Sequence, residues 1–158
     1  MLTIRPFEEN DRAALQEIYR ATRKATFSWL DTGRETAEDF DRATKDERLV
    51  VACWHGEAVG FASVWEPDSF LHHLYILPAH QGRGIGKALV ERCAALCRDT
   101  MTLKCLSANH KALAFYASQG WTFEEKGHDT DGEYHVLRAP GQAPNQPSSR
   151  AASSLASR

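Results

Sequence analysis

The chain opens on Leu2-Thr3-Ile4-Arg5, an alternation of apolar and polar residues that predicts a strand, which Pro6 interrupts. Glu8, Glu9, Asn10 and Asp11 then offer acidic and capping groups for a helix start. Ala14, Leu15, Ile18 and Tyr19 follow at three- and four-residue steps, the period of one buried helix face, and Thr22 extends that stripe by a turn. A turn around Asp31-Thr32-Gly33 leads to a short second helix beginning near Thr36, where Glu38 and Asp39 suit the positive end of the helix dipole.

The period then changes. Arg48 to Trp54 carries the run Leu49-Val50-Val51-Ala52-Cys53 and reads as a strand; His55-Gly56-Glu57 turns the chain into a second strand, Ala58 to Trp65, so the pair forms a hairpin. A third strand runs from about Phe70 to Leu77 and is stopped by Pro78. After a glycine-rich turn, Leu89, Val90, Cys93, Ala94 and Leu96 mark the apolar face of a helix from Arg83 to about Arg98. A strand from Met101 to about Leu106, a helix from His110 to Gln119 ended by Gly120, and two strands near Trp121 to Lys126 and Tyr134 to Arg138 complete the order β-α-α-β-β-β-α-β-α-β-β. Residues 1–138 thus form one predicted domain. From Ala139 the chain holds Pro140, Pro144, Pro147, five serines and no acidic residue, so residues 139–158 read as a disordered tail that buries too little surface to offset its ordering entropy.

Composition narrows the class without choosing a function. A length of 158 residues suits one domain, and 42% apolar with 25% charged residues excludes a collagen, a coiled coil or a disordered chain as the whole answer. The net charge of −2, with no long block of Lys or Arg, gives no reason to expect nucleic acid or an acidic membrane surface as partner, so any anion site is local. No signal-peptide core is present and no apolar run approaches the ~20 residues that cross a bilayer, which makes a reducing cytoplasm the simplest location. Cys53, Cys93, Cys97 and Cys105 lack Cys-x-x-Cys spacing; Cys93 and Cys97 share a predicted helix face, but free cysteine is commonly a small buried hydrophobe, and no metal is expected.

The chemistry concentrates in Gln81-Gly82-Arg83-Gly84-Ile85-Gly86, between a strand and a helix. A helix N-terminus presents unpaired amides and a positive dipole end to a phosphate, the glycines permit close approach, and Arg83 and Lys87 add charge beside it. A Walker loop fails on spacing, because Ala88 follows Gly86-Lys87 and Gln81 stands where its first glycine belongs. A dinucleotide fingerprint fails too, with Lys87 or Leu89 at its third glycine. What remains is Gln/Arg-x-x-Gly-x-Gly, matched at every specified position.

With the preceding Leu71-His72-His73-Leu74-Tyr75-Ile76-Leu77-Pro78, this turn resembles the central motif of the GNAT superfamily of acetyl-CoA-dependent N-acetyltransferases. Asn109-His110-Lys111-Ala112-Leu113-Ala114-Phe115-Tyr116, ending at Gly120-Trp121, resembles the family's later Asn-x-x-Ala-x-x-Phe-Tyr-x-x-x-Gly-Phe pattern except at the last aromatic. The resemblance covers roughly residues 2 to 138. It implies an α/β (α+β) domain with a central mixed, mostly antiparallel sheet flanked by helices, two strands splaying apart to form the CoA cleft. It further implies acetyl-CoA as co-substrate, held by Gln81, Gly82, Arg83, Gly84, Ile85 and Gly86 at the pyrophosphate, beside which Lys87 adds its charge, and by free backbone groups of Leu74, Tyr75 and Ile76 along the pantetheine arm.

Transfer of an acetyl group to an amine needs a base for the ammonium, a donor to the developing oxyanion and a proton for the departing thiolate. The resemblance places the Tyr116 hydroxyl near the sulfur, where a phenol of reference pKa ~10 can donate; a core tyrosine is the plainer alternative. Asn109 orients the cofactor or simply caps the following helix. Where family members often carry an acidic base, this strand carries His72 and His73; successive strand residues face opposite sides, so one of them is expected to enter the cleft, and sequence does not say which. Ordered water, with the oxyanion on a backbone amide of residues 74–76, would make both dispensable, and Glu66 and Asp68 are the alternative acids. Phe27 and Trp29, joined by Trp65 and Phe70, are candidate walls for a small-molecule amine acceptor, or else core residues; a protein or peptide amine as acceptor, or a non-catalytic acyl-CoA-binding module, are the alternative functions. A homodimer is common in the resembled family, though the sequence marks no interface.

Overall fold

The computed structural model describes residues 1–26 and 37–141. Phe27, Trp29, the turn at residues 31–33 and residues 142–158 of the tail lie outside the described residues.

The elements are β1 (Leu2–Pro6), α1 (Arg12–Thr26), α2 (Ala37–Ala43), β2 (Arg48–Trp54), β3 (Glu57–Trp65), β4 (Phe70–Ile76), α3 (Ile85–Leu96), β5 (Thr102–Leu106), α4 (His110–Ser118), β6 (Thr122–Asp129) and β7 (Gly132–Arg138), with short 3-10 turns at Glu9–Asp11, Glu66–Asp68 and Pro78–His80. Order and type agree with the sequence expectation. Among the described residues, one seven-stranded sheet runs β1-β2-β3-β4-β5-β7-β6, antiparallel throughout except where β4 lies parallel to β5.

The unbroken apolar run of β2 exists because both faces of the sheet are covered. Alternate residues serve opposite cores: Val50 and Ala52 join Val64, Ile85, Leu89 and Leu103 on one face, while Val51 and Cys53 join Leu15, Ile18, Phe40 and Phe61 on the other. Helix α1 buries Leu15, Ile18, Tyr19 and Thr22, but Ala14 is exposed, so the stripe is narrower than its sequence period suggested. Asp11 anchors the start of α1, accepting two 2.8 Å hydrogen bonds from Arg5 and one from the Glu8 amide; Arg5 beside it holds its carboxyl below the usual range.

Several boundaries move. Helix α3 starts at Ile85 rather than Arg83, because Gly82 and Gly84 sit at φ 80° and 81°, outside the helical region. It ends at Leu96, and Cys97 is already extended, so Cys93 and Cys97 do not share a helix face. Burial pushes the Cys93 thiol up to about 12, consistent with a packing role. The chain stays docked past residue 138: the Ala139 amide donates to the Met101 carbonyl at 2.9 Å, and Pro140 lies against Gly120.

Two irregularities of β4 position the site. It pairs with β5 only at Phe70↔Thr102 and Leu71↔Leu103, then diverges while keeping its partnership with β3 through Ile76. The divergence opens a cleft in mid-sheet. The β3–β4 register also shifts, Ser63 opposing His73 but Val64 opposing Leu71, which leaves His72 as the extra residue of a β-bulge.

Candidate active site

One end of the divergence is a cleft of about 510 Å³ between β4, the glycine turn and α4. Gly82 and Gly84 supply backbone conformations that other residues rarely adopt, and Gly84 caps α3 so that the helix amides face the cleft. Gly86 lets its neighbours lie close: a Cβ there would stand a tight 3.3 Å from Cζ of Phe115 and in ordinary contact, 3.5 Å, with Cδ1 of Ile76. The Ile85 side chain is buried in the core, which leaves its main chain as the part available to a ligand. Lys87 lines the cleft. Arg83 does not; the flanking left-handed glycines turn it outward, and its guanidinium stacks 5.2 Å from the Trp54 ring centroid.

Gln81 is a clamp. Its Nε2 donates to the Ile76 carbonyl at 3.1 Å, so that carbonyl is not the free group expected along the strand, and its Oε1 accepts from Lys111 at 2.7 Å. Lys111, in the first turn of α4, lines the cleft and takes the place expected of Arg83 as a cation there. Its signal was its position two residues after Asn109, inside the later motif.

Asn109 does cap α4, its Oδ1 accepting from the Ala112 amide at 3.2 Å, and it also lines the cleft. Tyr116 is buried between the edges of Phe115 and Trp121, with centroids 5.1 and 5.4 Å away. Burial, with Cys105 and Cys93 nearby, pushes its phenol up, so it stays protonated and able to donate.

A second cavity of about 160 Å³ lies on the other side of this wall, between β4 and β5. Leu74, Tyr75, Asn109, Ala112 and Tyr116 border both spaces. Arg23 enters the smaller one from α1, donating to the Tyr75 hydroxyl at 3.1 Å. Asp129 and Asp131 line the same cavity, and Lys104 donates to Asp129 at 2.5 Å.

His72 and His73 both line this cavity, contrary to the strand alternation that would separate them. The bulge removes the alternation at this point, and the two rings lie 3.8 Å apart between centroids. Nδ1 of His73 meets the Ser63 hydroxyl at 2.8 Å; burial, helped by His72 and Arg23, drives its pKa well below 6.5, so His73 is neutral. Nδ1 of His72 lies 2.7 Å from Oε2 of Glu47, a residue that sequence did not single out. Together these three side chains bring donor atoms within 4.8 Å of one another, a set that could also hold a cation. Glu66 is paired with Arg48 at 3.1 Å, and neither it nor Asp68 lines either cavity. Phe70 lines the smaller cavity; Trp65 does not.

The sequence profile of the acetyltransferase (GNAT) family matches residues 12–121, more than half of the chain. The chain belongs to this family. This GNAT protein is an acyltransferase, an N-acetyltransferase by family. It is 30% identical over 137 residues to the L-methionine sulfoximine/L-methionine sulfone acetyltransferase of Salmonella typhimurium, a match covering 77% of this chain and 80% of that one. A streptothricin acetyltransferase of Streptomyces lavendulae is 26% identical over 102 residues, covering 59% and 54% of the two chains. Among solved structures, the fold matches YncA from Salmonella typhimurium, a putative acetyltransferase with its cofactor acetyl-CoA, at TM-score 0.70 and 21% identity over 94% of this chain and 98% of that one. It also matches the PaiA N-acetyltransferase of Thermoplasma acidophilum in complex with coenzyme A, at TM-score 0.69 and 20% identity over 88% and 98%. No helix among the described residues is long and apolar enough to cross a membrane.

Proposed function

We propose that this protein moves the acetyl group of acetyl-CoA to the primary amine of a small amino-acid-like acceptor, by direct attack in a ternary complex. The observation that carries the proposal is the shared wall: Leu74, Tyr75, Asn109 and Tyr116 border both cavities, so a thioester in the larger cleft and an amine in the smaller one would meet there.

Acetyl-CoA supplies an activated acyl group, whose carbonyl carbon gains the amine nitrogen and loses the thiolate. The residues present suit it. The amides at the head of α3 hold the pyrophosphate, Lys87 and Lys111 add charge, and Ile85 contributes through its main chain. A backbone amide of β4 within Leu74–Ile76 donates to the oxyanion. A β4 histidine takes the ammonium proton, and Tyr116 gives its proton to the departing sulfur.

A volume of about 160 Å³ favours a small acceptor. Arg23 would bind a carboxylate, and Asp131 would face an ammonium group, Asp129 being paired with Lys104. The relative named for L-methionine sulfoximine and sulfone supports an amino-acid acceptor. Four free cysteines, three of them buried, fit a reducing cytoplasm. The test is release of free CoA thiol from acetyl-CoA with a panel of amines: amino acids, L-methionine sulfone, a diamine, a peptide amine. Amino acids should turn over fastest; turnover confined to the peptide would exclude the small-acceptor reading.

A further inference from the structure

Glu47 lies between α2 and β2, and its side chain is fully buried against the bulge of β4. Its Oε2 stands 2.7 Å from Nδ1 of His72, and its Oε1 stands 3.9 Å from Nδ1 of His73. With Glu47 ionised, its oxygen accepts and does not donate, and the hydrogen of the short contact then belongs to Nδ1 of His72. The neutral ring then carries its lone pair on Nε2. His73 is held otherwise. Its Nδ1 meets a serine hydroxyl, which both donates and accepts and therefore imposes no tautomer. The His73 ring packs against Tyr19 and Tyr75, with centroids 5.8 and 5.5 Å away, and forms the surface on which the His72 ring lies.

We infer that Glu47 is a positioning residue: it fixes His72 in the Nδ1–H tautomer, so that Nε2 of His72, rather than either nitrogen of His73, accepts the proton of the incoming amine. The inference rests on the acetyl-transfer proposal above. In the step, one proton leaves the acceptor's ammonium group for Nε2, the freed nitrogen lone pair forms the new C–N bond as the C–S bond breaks, the second nitrogen proton replaces the one that Tyr116 gives to the departing thiolate, and the imidazolium faces the Glu47 carboxylate until it returns its proton to solvent. Among the described residues, the other charged groups lining this cavity are Arg23, Asp131 and the Lys104–Asp129 pair. Serine hydrolases use the same logic, a carboxylate that selects the tautomer of the base without itself taking the proton.

Ring-nitrogen NMR on the full chain tests the tautomer directly and needs no acceptor. The expected spectrum shows a protonated Nδ1 and an unprotonated Nε2 for His72, with the pattern changed in Glu47→Gln, whose amide can donate to Nδ1. A reversed or freely exchanging His72 in the wild type overturns the inference, even if acetyl transfer is confirmed. In kinetics, Glu47→Gln should lower kcat by about 10²-fold or more, while the acetyl-CoA KM moves by less than about threefold. Added imidazole should restore part of the rate lost in His72→Ala. A wild-type kcat in Glu47→Gln, or imidazole rescue of His73→Ala instead, contradicts it. A Tm that still rises with acetyl-CoA shows that a variant is folded; if Glu47→Gln fails that check, the wild-type spectrum and the His72→Ala rescue still decide. A rate lost on chelation and restored by Zn²⁺ would make the three side chains a metal site and overturn the dyad.

Discussion

The ammonium of Lys111 donates to Oε1 of Gln81 at 2.7 Å, tying the first turn of α4 to the turn that precedes α3. Both residues line the larger cleft, so the cation is already held where phosphate would arrive. Lys111→Ala should weaken acetyl-CoA binding about five- to tenfold, the worth of one charge-assisted contact of about 1 kcal/mol, and leave kcat nearly unchanged. Titration calorimetry at two salt concentrations checks it. An unchanged Kd would remove Lys111 from the cofactor site.

Tyr116 has a phenol whose proton is made harder to lose by burial. Tyr116→Phe should lower kcat about 10²-fold without changing acetyl-CoA affinity, because the ring and its packing remain. The raised pKa also fixes a sign: the donor form persists as pH rises, so the rate should show no alkaline loss from this group up to about pH 10. A wild-type rate in the variant would assign Tyr116 to the core alone.

The fold was legible because its signals were local. Alternation in β2, capping groups before α1 and the glycines before α3 each depend on residues a few positions apart, and each element was found within a few residues of its observed bounds. The acid–base side of the site was not legible, since its geometry depends on pairing between distant segments. Whether His72 and His73 share a face is decided by the register of β3 against β4, and the single extra residue cannot be seen in β4 alone. Glu47, in Lys45-Asp46-Glu47-Arg48, has the composition of a solvated turn, yet its side chain is buried against a strand 25 residues later. Arg83 has the composition of a phosphate ligand, and the positive φ of its neighbours sends it to Trp54 instead.

Arg23 donates to the Tyr75 hydroxyl, and its guanidinium lies over the Tyr19 ring at 5.4 Å, which fixes a cation in the wall of the smaller cavity. If it binds the acceptor's carboxylate, Arg23→Gln should raise the amino-acid KM about tenfold or more and leave the acetyl-CoA KM unchanged. The same substitution should have little effect on a simple amine lacking a carboxylate. Equal losses for both acceptors would make Arg23 a packing residue.

His73 should shape acid stability. In the unfolded chain it takes a proton near 6.5, and in the folded protein it resists one, so protons favour unfolding. Its contribution is therefore complete above about pH 6.5 and is lost as the pH falls toward the lowered folded value, by at most about 1.4 kcal/mol per pH unit for one proton. Urea denaturation at pH 7 and pH 5 should show a shallower decline in His73→Gln than in the wild type. Parallel declines would mean that other groups set the acid limit.

The central claim is that acetyl-CoA lies across the glycine turn at Gln81–Gly86, and calorimetric titration of acetyl-CoA into the wild type and Gly84→Glu tests it most directly. A carboxylate at position 84 would stand beside the α3 amides, where the pyrophosphate is expected. The expected result is saturable one-to-one binding to the wild type and none detectable in a folded Gly84→Glu. Equal affinity in the two proteins would contradict the assignment.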